Sequence, residues 1–355
     1  MKTYLKTLAS RGHQVTVINA FANTPTPNIR FIEIPKLIEC HEEMKVNFSW
    51  DKILPKLVVI TLEDDGVQEL LKSGETFDLV LVEMELVETL YGLAQHFNAS
   101  LAGFLSFGTH YTVDEAMGNV SPISYNPLVT SSCTDRMSFT QRLANHYEYL
   151  VEKAHRHFIH LPAMQKLYDK YFPEAKQTMS EAINSISLVL LGDHFSLSHS
   201  RPYLPNMIEV GGMHISHQPE PLPDDIRQFI EDSPDGVIYF SMGSNMKSTD
   251  LSQETLDVLV KTFASLKQRV LWKFEDQLPG KPDNVLIKNW YPQSDILAHP
   301  NVKLFISHGG QLSITESVYF GKPFLGLPCF FDQFRNVLRA QKLGFGLGLN
   351  VKNLK

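Results

Sequence analysis

Residues 290–333 read WYPQSDILAHPNVKLFISHGGQLSITESVYFGKPFLGLPCFFDQ, and the centre of that stretch constrains the fold more than any other part of the chain. The short apolar run VKLFIS ends in His308-Gly309-Gly310, and a helical pattern starts near Ser313. Strand, glycine turn and helix start, in that order, are the parts of a βαβ unit, which needs a parallel sheet with helices on its faces. Ligands of such sheets sit beyond the carboxyl ends of the strands. His308 stands at that end, and the two glycines let the backbone come close to a bound group.

The same alternation runs through the whole chain. In the first half the predicted strands are QVTVINAF, IRFIEI, FDLVLVEM and ASLAGFLSF, with SISLVLLG last and IEVGGMHI leading out of it. An amphipathic stretch covers 138–158, and a second helical segment lies around 164–171. After the proline-rich SHQPEPLPDD the pattern restarts with GVIYFSMGS, a helix over 253–267, RVLWKF, NVLIKNW, VKLFISHGG and PFLGLP. These patterns predict an α/β fold of two Rossmann-like domains with parallel sheets, 1–215 and 226–355, joined by a linker at 216–225. The chain opens directly on the helical YLKTLASRGH. A doubly wound domain normally begins with a strand and loop before such a helix, so the first domain is predicted to lack its first strand.

Composition narrows the partners. At 355 residues there is enough chain for two cores, and a net charge of −7 without a basic run disfavours nucleic acid. Three cysteines, odd in number and far apart, suggest neither a disulfide framework nor a zinc site. No stretch is long enough to span a membrane, and the N-terminal residues are not a secretory signal. Sequons at Asn47, Asn98 and Asn119 are acceptors for glycosylation in a lumen. Nor is there a GxGxxG, a P-loop, a GxSxG, an Asp-x-Asp or a cluster with metal-ligand spacing. No nicotinamide, flavin or metal is therefore expected, and no cofactor.

Several residues near the predicted sheet edge carry chemistry, each with a plainer alternative. The helix that follows Gly310 would turn free N–H groups at Leu312 and Ser313, and its positive dipole end, toward a pyrophosphate. His308 can add a donor to that anion, or merely cap its strand. Gly243-Ser244 ends GVIYFSM and can present N–H groups to a phosphate. Lys273 in LWKF can lean toward the same charge, or be an exposed strand-end lysine. Ser313-Ile-Thr-Glu316 has the form of a capping box, which would use Glu316 on the helix itself. The other reading makes Glu316 a bidentate acceptor for two ribose hydroxyls. Trp290 is either a ring that stacks on uracil, with Gln293 reading the base or ribose, or an ordinary core tryptophan. Asp332-Gln333 can bind adjacent sugar hydroxyls, or Asp332 is an N-cap. Together these groups are what a nucleotide sugar requires.

The 290–333 segment resembles the donor-binding signature of the UDP-glycosyltransferase family, with W-x-PQ, HP, F-x-S-HGG, S-x-x-E, G-x-P and DQ in order. RGHQVTVI, FDLVLVE, SRPYLPNMIEVGGMHI and GVIYFSMGSN also look like family segments, most like the arthropod enzymes described as ecdysteroid or antennal UDP-glucosyltransferases. The resemblance implies a GT-B fold, two Rossmann-like domains facing a cleft, with acceptor in the first and UDP-sugar in the second. Carried over, Trp290 stacks on uracil, Gln293 touches the base and ribose, and Glu316 holds the ribose. Gly243, Ser244, His308, Gly310, Leu312 and Ser313 take the pyrophosphate, and Asp332 and Gln333 the sugar. Many relatives have Asn where Leu312 stands, so only its N–H remains for a phosphate.

The family's reaction is a metal-independent inverting displacement, in which a histidine takes the proton of the acceptor hydroxyl and an acidic residue steadies it. Glu83, at the end of FDLVLVE, matches the acidic partner, or is a strand-end surface glutamate. The histidine falls just upstream of residue 1, and His13 is at the wrong end of the first helix to replace it. The implied activity is transfer of a hexose, glucose foremost, from a UDP-sugar to a small lipophilic acceptor. The alternative is a remnant that binds UDP-sugar without turnover, associating with full-length relatives as a homo- or hetero-oligomer. Relatives are endoplasmic reticulum proteins with a signal and a membrane anchor, neither of which occurs in residues 1–355.

Overall fold

A computed structural model describes residues 2–46, 49–244 and 246–351, so the sequon at Asn47 lies outside the described residues. The chain divides into two compact units, and neither is one continuous stretch. The first comprises Met1–Ile123, Leu143–Gly192 and Arg201–His214; the second comprises Ser124–Arg142, Asp193–Ser200 and Ile215–Lys355. Two short excursions therefore group with the C-terminal part, where the sequence places a single linker at 216–225. Proline runs mark a linker in sequence, but nothing in local composition marks a loop that packs on a distant part of the chain.

In the first unit β1 (Val15–Asn19) and β2 (Ile29–Glu33) pair in parallel, with Val15 opposite Ile29. A separate parallel sheet follows the order β3 (Leu79–Glu83), β4 (Ser100–Leu105), β5 (Leu188–Leu191), β6 (Met207–Glu209). The strands thus form two sheets rather than one, in the domain for which the sequence predicts a strand too few. IEVGGMHI is a strand only at its start, because Gly212 turns the backbone to a φ of 88°. Between β2 and β3 lie three helices that the periodicity leaves unmarked, Lys36–Val46, Trp50–Leu62 and Asp65–Lys72. WDKILPKLVVITL carries an internal Pro55 and an apolar second half, which blurs a 3.6-residue pattern. The third helix has a clear start, since the Asp64 carboxylate accepts from the N–H groups of Gly66 and Val67.

The long amphipathic stretch forms helix Phe139–His155, a π-helical turn Arg156–His160 and helix Leu161–Tyr171. The turn brings Arg156 and His160 onto one buried carboxylate. Glu88 accepts from His160 Nε2 at 2.8 Å and is paired with Arg156. Burial alone would raise its pKa, but the His160 hydrogen bond and the Arg156 charge hold it down at about 2.

The second unit is a single six-stranded parallel sheet. Its strands are β7 (Val237–Ser241), β8 (Arg269–Lys273), β9 (Val285–Lys288), β10 (Val302–Ser307), β11 (Phe324–Gly326) and β12 (Gly346–Gly348), in the order β12-β11-β10-β7-β8-β9. The first strand is central and the winding reverses between β7 and β10, which is the doubly wound arrangement. All five residues of β7 are buried. Val237 and Tyr239 join one core with Phe305, Ile314 and Val337, while Ile238 and Phe240 join the other with Trp272 and Phe263. A strand covered on both faces has no polar side, which is why GVIYFSM reads as a continuous apolar run. Ser241 pairs with Ser307, and Ser307 with Gly326. The loops after β7, β10 and β11 consequently leave the sheet at one level, beside the reversal point.

Candidate functional site at the carboxyl edge of the second sheet

At the β7–β10 reversal the His308 ring is held between two glycines. A Cβ on Gly243 would lie 2.5 Å from His308 Cε1, and one on Gly310 would lie 2.6 Å from Nε2. Both positions must be glycine for the ring to fit, and Gly243 also has a φ of 86°. The Ser307 hydroxyl lies 3.1 Å from His308 Nδ1, so a hydroxyl donating there leaves the proton of the neutral ring on Nε2. His308 is only 9% exposed. Burial, and then the charge of Lys273, lower its pKa to about 4. It is therefore a neutral donor at pH 7 and not a cation. Gly243 N–H donates to Ser241 Oγ at 3.2 Å, whereas Ser244 is exposed at the tip of the turn.

Gly310 is the N-cap of helix Gln311–Tyr319, and no side chain caps that end. The four leading N–H groups, those of Leu312 and Ser313 among them, have no partner within their own helix. Leu312 is exposed and Ser313 buried. Because the helix begins at Gln311, Ser313 and Glu316 are inside it and do not form a capping box. Glu316 is 8% exposed and instead accepts from Gln293 Nε2 at 2.6 Å. The same Gln293 nitrogen lies 3.3 Å from Ser313 Oγ, and its Oε1 faces the Tyr239 hydroxyl at 3.4 Å. A carboxylate held this way, at the edge of a sheet and one turn from a helix N-terminus, can accept from a pair of vicinal hydroxyls. Trp290, three residues before Gln293, is 67% exposed. It is not a core tryptophan, and most of its surface is open to solvent.

Beyond β11 the chain turns through Phe331, which has a left-handed φ of 54°, into Asp332 and helix Gln333–Leu343. Asp332 occupies the N-cap position but makes no capping bond. Its carboxylate accepts from Asn336 Nδ2 at 2.6 Å. Burial raises the Asp332 pKa, against the Arg335 charge and the Asn336 hydrogen bond. Gln333 is buried, and its Oε1 accepts from the N–H groups of Cys329 at 2.9 Å and Phe330 at 3.2 Å. That bond pins the turn and leaves the NH2 of Gln333 as the part the turn does not use.

Lys273 is not an exposed strand-end lysine: it is buried at the end of β8, with its ammonium 2.5 Å from Glu275 Oε1. Glu275 also accepts from Ser248 N–H at 2.7 Å, and the Ser248 hydroxyl ties Trp272 Nε1 to the Lys273 carbonyl. Tyr239, Asn336 and Glu275 were not singled out from sequence. For Asn336 a signal existed, since it stands four residues after Asp332 on the same helix face. In the first unit Glu83 ends β3 and is exposed, opposite Phe104 on β4. His13 follows the first helix and precedes β1, at the amino end of that strand. Among the described residues no group of three His, Cys, Asp or Glu is placed to hold a metal ion, and no helix is long and apolar enough to cross a membrane.

The family described as "UDP-glucoronosyl and UDP-glucosyl transferase" matches residues 1–355. "UDP-glucosyltransferase 2" of Dactylopius coccus is 34% identical over 99% of this chain and 70% of its own length. "UDP-glucuronosyltransferase 2B15" of Homo sapiens is 29% identical over 100% of this chain and 72% of its own length. Among solved structures, the calicheamicin glycosyltransferase CalG4 aligns with a TM-score of 0.61 at 15% identity, over 99% of this chain and 82% of its own. A Polygonum tinctorium UDP-glucosyltransferase, described as capable of glucosylating indoxyl, aligns at 0.56 and 18%, over 98% and 81%. These neighbours share the GT-B fold. The chain thus belongs to the UDP-glucuronosyl and UDP-glucosyl transferase family, enzymes that transfer sugars from UDP-sugars.

Proposed function

We propose that the carboxyl edge of the second sheet holds the UDP-sugar, and that the chain passes its hexose, glucose first, to a hydroxyl of a small lipophilic acceptor. The observation that carries the donor reading is buried Glu316 held by half-buried Gln293, beside an uncapped helix N-terminus, with Trp290 exposed in the turn after β9. On this reading Trp290 stacks on uracil, Gln293 meets the base and ribose, and Glu316 takes the ribose hydroxyls. The Gly243-Ser244 turn, His308 Nε2–H and the backbone N–H groups of Gly310, Leu312 and Ser313 take the pyrophosphate. Asp332 accepts from a sugar hydroxyl and Gln333 donates to another. Departing diphosphate gathers charge in the transition state, and preorganised donors there lower the barrier without reorganising. The displacement is inverting and draws on no cofactor or metal ion, with Glu83 as the acidic partner of the proton acceptor. The Dactylopius and Polygonum glucosyltransferases support glucose as donor, and indoxyl supports an aromatic acceptor hydroxyl. Family membership supports an endoplasmic reticulum setting.

The test is turnover of UDP-glucose with a phenolic acceptor, followed by proton NMR of the anomeric carbon. A β-glucoside is expected; an α-glucoside contradicts the inverting displacement. A second reading is favoured by the position of His13, which is exposed at the amino end of β1, opposite that strand's carboxyl end. On it the chain binds UDP-sugar without turnover and associates with relatives, and any glucoside formed by the purified chain excludes it.

A further inference from the structure

Asn336 sits between the two loops of the donor site and touches both. It is 7% exposed, on the first full turn of helix Gln333–Leu343. Its single carboxamide nitrogen donates to Gly309 O at 3.1 Å and to Asp332 Oδ2 at 2.6 Å. A carboxamide nitrogen has two N–H groups, so one residue satisfies both acceptors. Gly309 belongs to the turn after β10, and Asp332 to the turn after β11. We infer that Asn336 is a positioning residue for donor binding, which aims the backbone donor at Gly310 and the carboxylate of Asp332 from one side chain. The inference rests on the proposed placing of the UDP-sugar.

Two pieces of geometry carry it. The Gly309–Gly310 peptide is planar and trans, so its carbonyl and its N–H point in opposite directions. Fixing Gly309 O on Asn336 therefore turns the Gly310 N–H away from helix Gln333–Leu343. The turn cannot drift toward the helix either, because a Cβ at Gly309 would already lie 2.6 Å from Val337 Cγ2 and Gly309 has a φ of 92°. On the other side, Asp332 makes no capping bond to its own helix, and beside its own backbone N–H it is Asn336 that holds the carboxylate. Burial opposes ionisation of Asp332, while the Arg335 charge, the Asn336 hydrogen bond and the backbone N–H of Asp332 favour it. Asn336 helps keep that buried carboxyl ionised, in the form that accepts from a sugar hydroxyl.

The test compares wild type, Asn336→Leu and the isosteric Asn336→Asp. Calorimetry with UDP-glucose and with UDP is run from pH 5 to 8, with a melting curve for each variant. For Asn336→Leu the expected result is UDP-glucose affinity weaker by about ten-fold or more, in line with loss of a hydrogen bond to a charged group. UDP is expected to weaken less, since it reports only the Gly310 side. The acidic limb of UDP-glucose binding should move to higher pH, because the Asp332 carboxyl has lost a donor. Asn336→Asp should move the limb further, as two carboxylates then share the site. If Asn336→Leu does not fold, Asn336→Asp keeps the shape and is read in its place. Variants that melt lower but keep wild-type affinity and pH profile would make Asn336 a structural residue and overturn the inference alone. A wild type that binds no UDP-sugar would remove the donor site, and the inference with it.

Discussion

Gln293 donates to Glu316 at 2.6 Å, so the carboxylate is aimed by a side chain from another helix, as the proposed ribose contact requires. Glu316→Ala removes a double acceptor of charge-assisted hydrogen bonds, each contributing about 1.5–3 kcal/mol. UDP-glucose affinity is expected to fall by at least about ten-fold, with a modestly lower melting temperature because Gln293 loses its acceptor. Trp290→Ala separates two roles in the same way. A core tryptophan replaced by alanine costs about 3–5 kcal/mol of stability. The exposed Trp290 should instead leave stability nearly unchanged and weaken UDP binding by roughly ten-fold or more, the scale of a lost base–aromatic stack. Urea melts beside calorimetry decide between them. These residues show what sequence reveals at this scale and what it hides. The types and spacing in 290–333 were enough to nominate the site. Whether Ser313 and Glu316 form a capping box depended on where the helix begins, and the helix begins at Gln311. Lys273 read as an exposed lysine because its partner Glu275 becomes significant only once β8 ends in the interior.

Among the elements, the strands were the legible part, since β7 and β10 are apolar runs bounded by glycine or polar turns. Their labels follow from double-sided burial, which a single window of sequence contains. The helices between β2 and β3 were not legible, because Pro55 and the apolar second half of Trp50–Leu62 mask the period. The Asp135 contacts to Arg339 and Lys342 could not be read either, since the partners are more than 200 residues apart. The tightest element-level constraint is the glycine pair around His308. Gly243→Ala places a methyl group 2.5 Å from His308 Cε1 at a φ of 86°. It is expected to cost about 1–2 kcal/mol in backbone strain alone, to displace the ring, and to weaken UDP binding. A Gly243→Ala variant with wild-type melting and affinity would show that the ring has room the packing denies it. Gly280, with a φ of 69° but open space around it, is the control: alanine there should lower stability without touching binding.

For the whole molecule, the two units should respond to acid in different windows. In the second unit His308 and His199 both have pKa values of about 4, depressed chiefly by burial. A histidine depressed from its unfolded value binds fewer protons when folded, so stability rises with pH across the gap. That contribution is complete above about 6.5 and is lost as pH falls toward 4. In the first unit Glu88, held at about 2, contributes stability that is present above the ordinary glutamate range and lost only as pH falls toward 2. Hydrogen exchange at pH 7, 5 and 3 should therefore show β7 and β10 opening before β3 and β4. Equal loss of protection in both sheets at pH 5 would contradict the assignment of neutral buried histidines. His308→Gln should flatten part of the decline between pH 6.5 and 4.

Binding of a UDP-sugar through Glu316, at the edge between β7 and β10, is the proposal on which the rest depends. Calorimetric titration of the wild-type chain and of Glu316→Ala with UDP-glucose decides it. Saturable one-to-one binding by the wild type is expected, with an affinity at least about ten-fold weaker in the variant. Equal affinities, or no binding by a folded wild type, would contradict it.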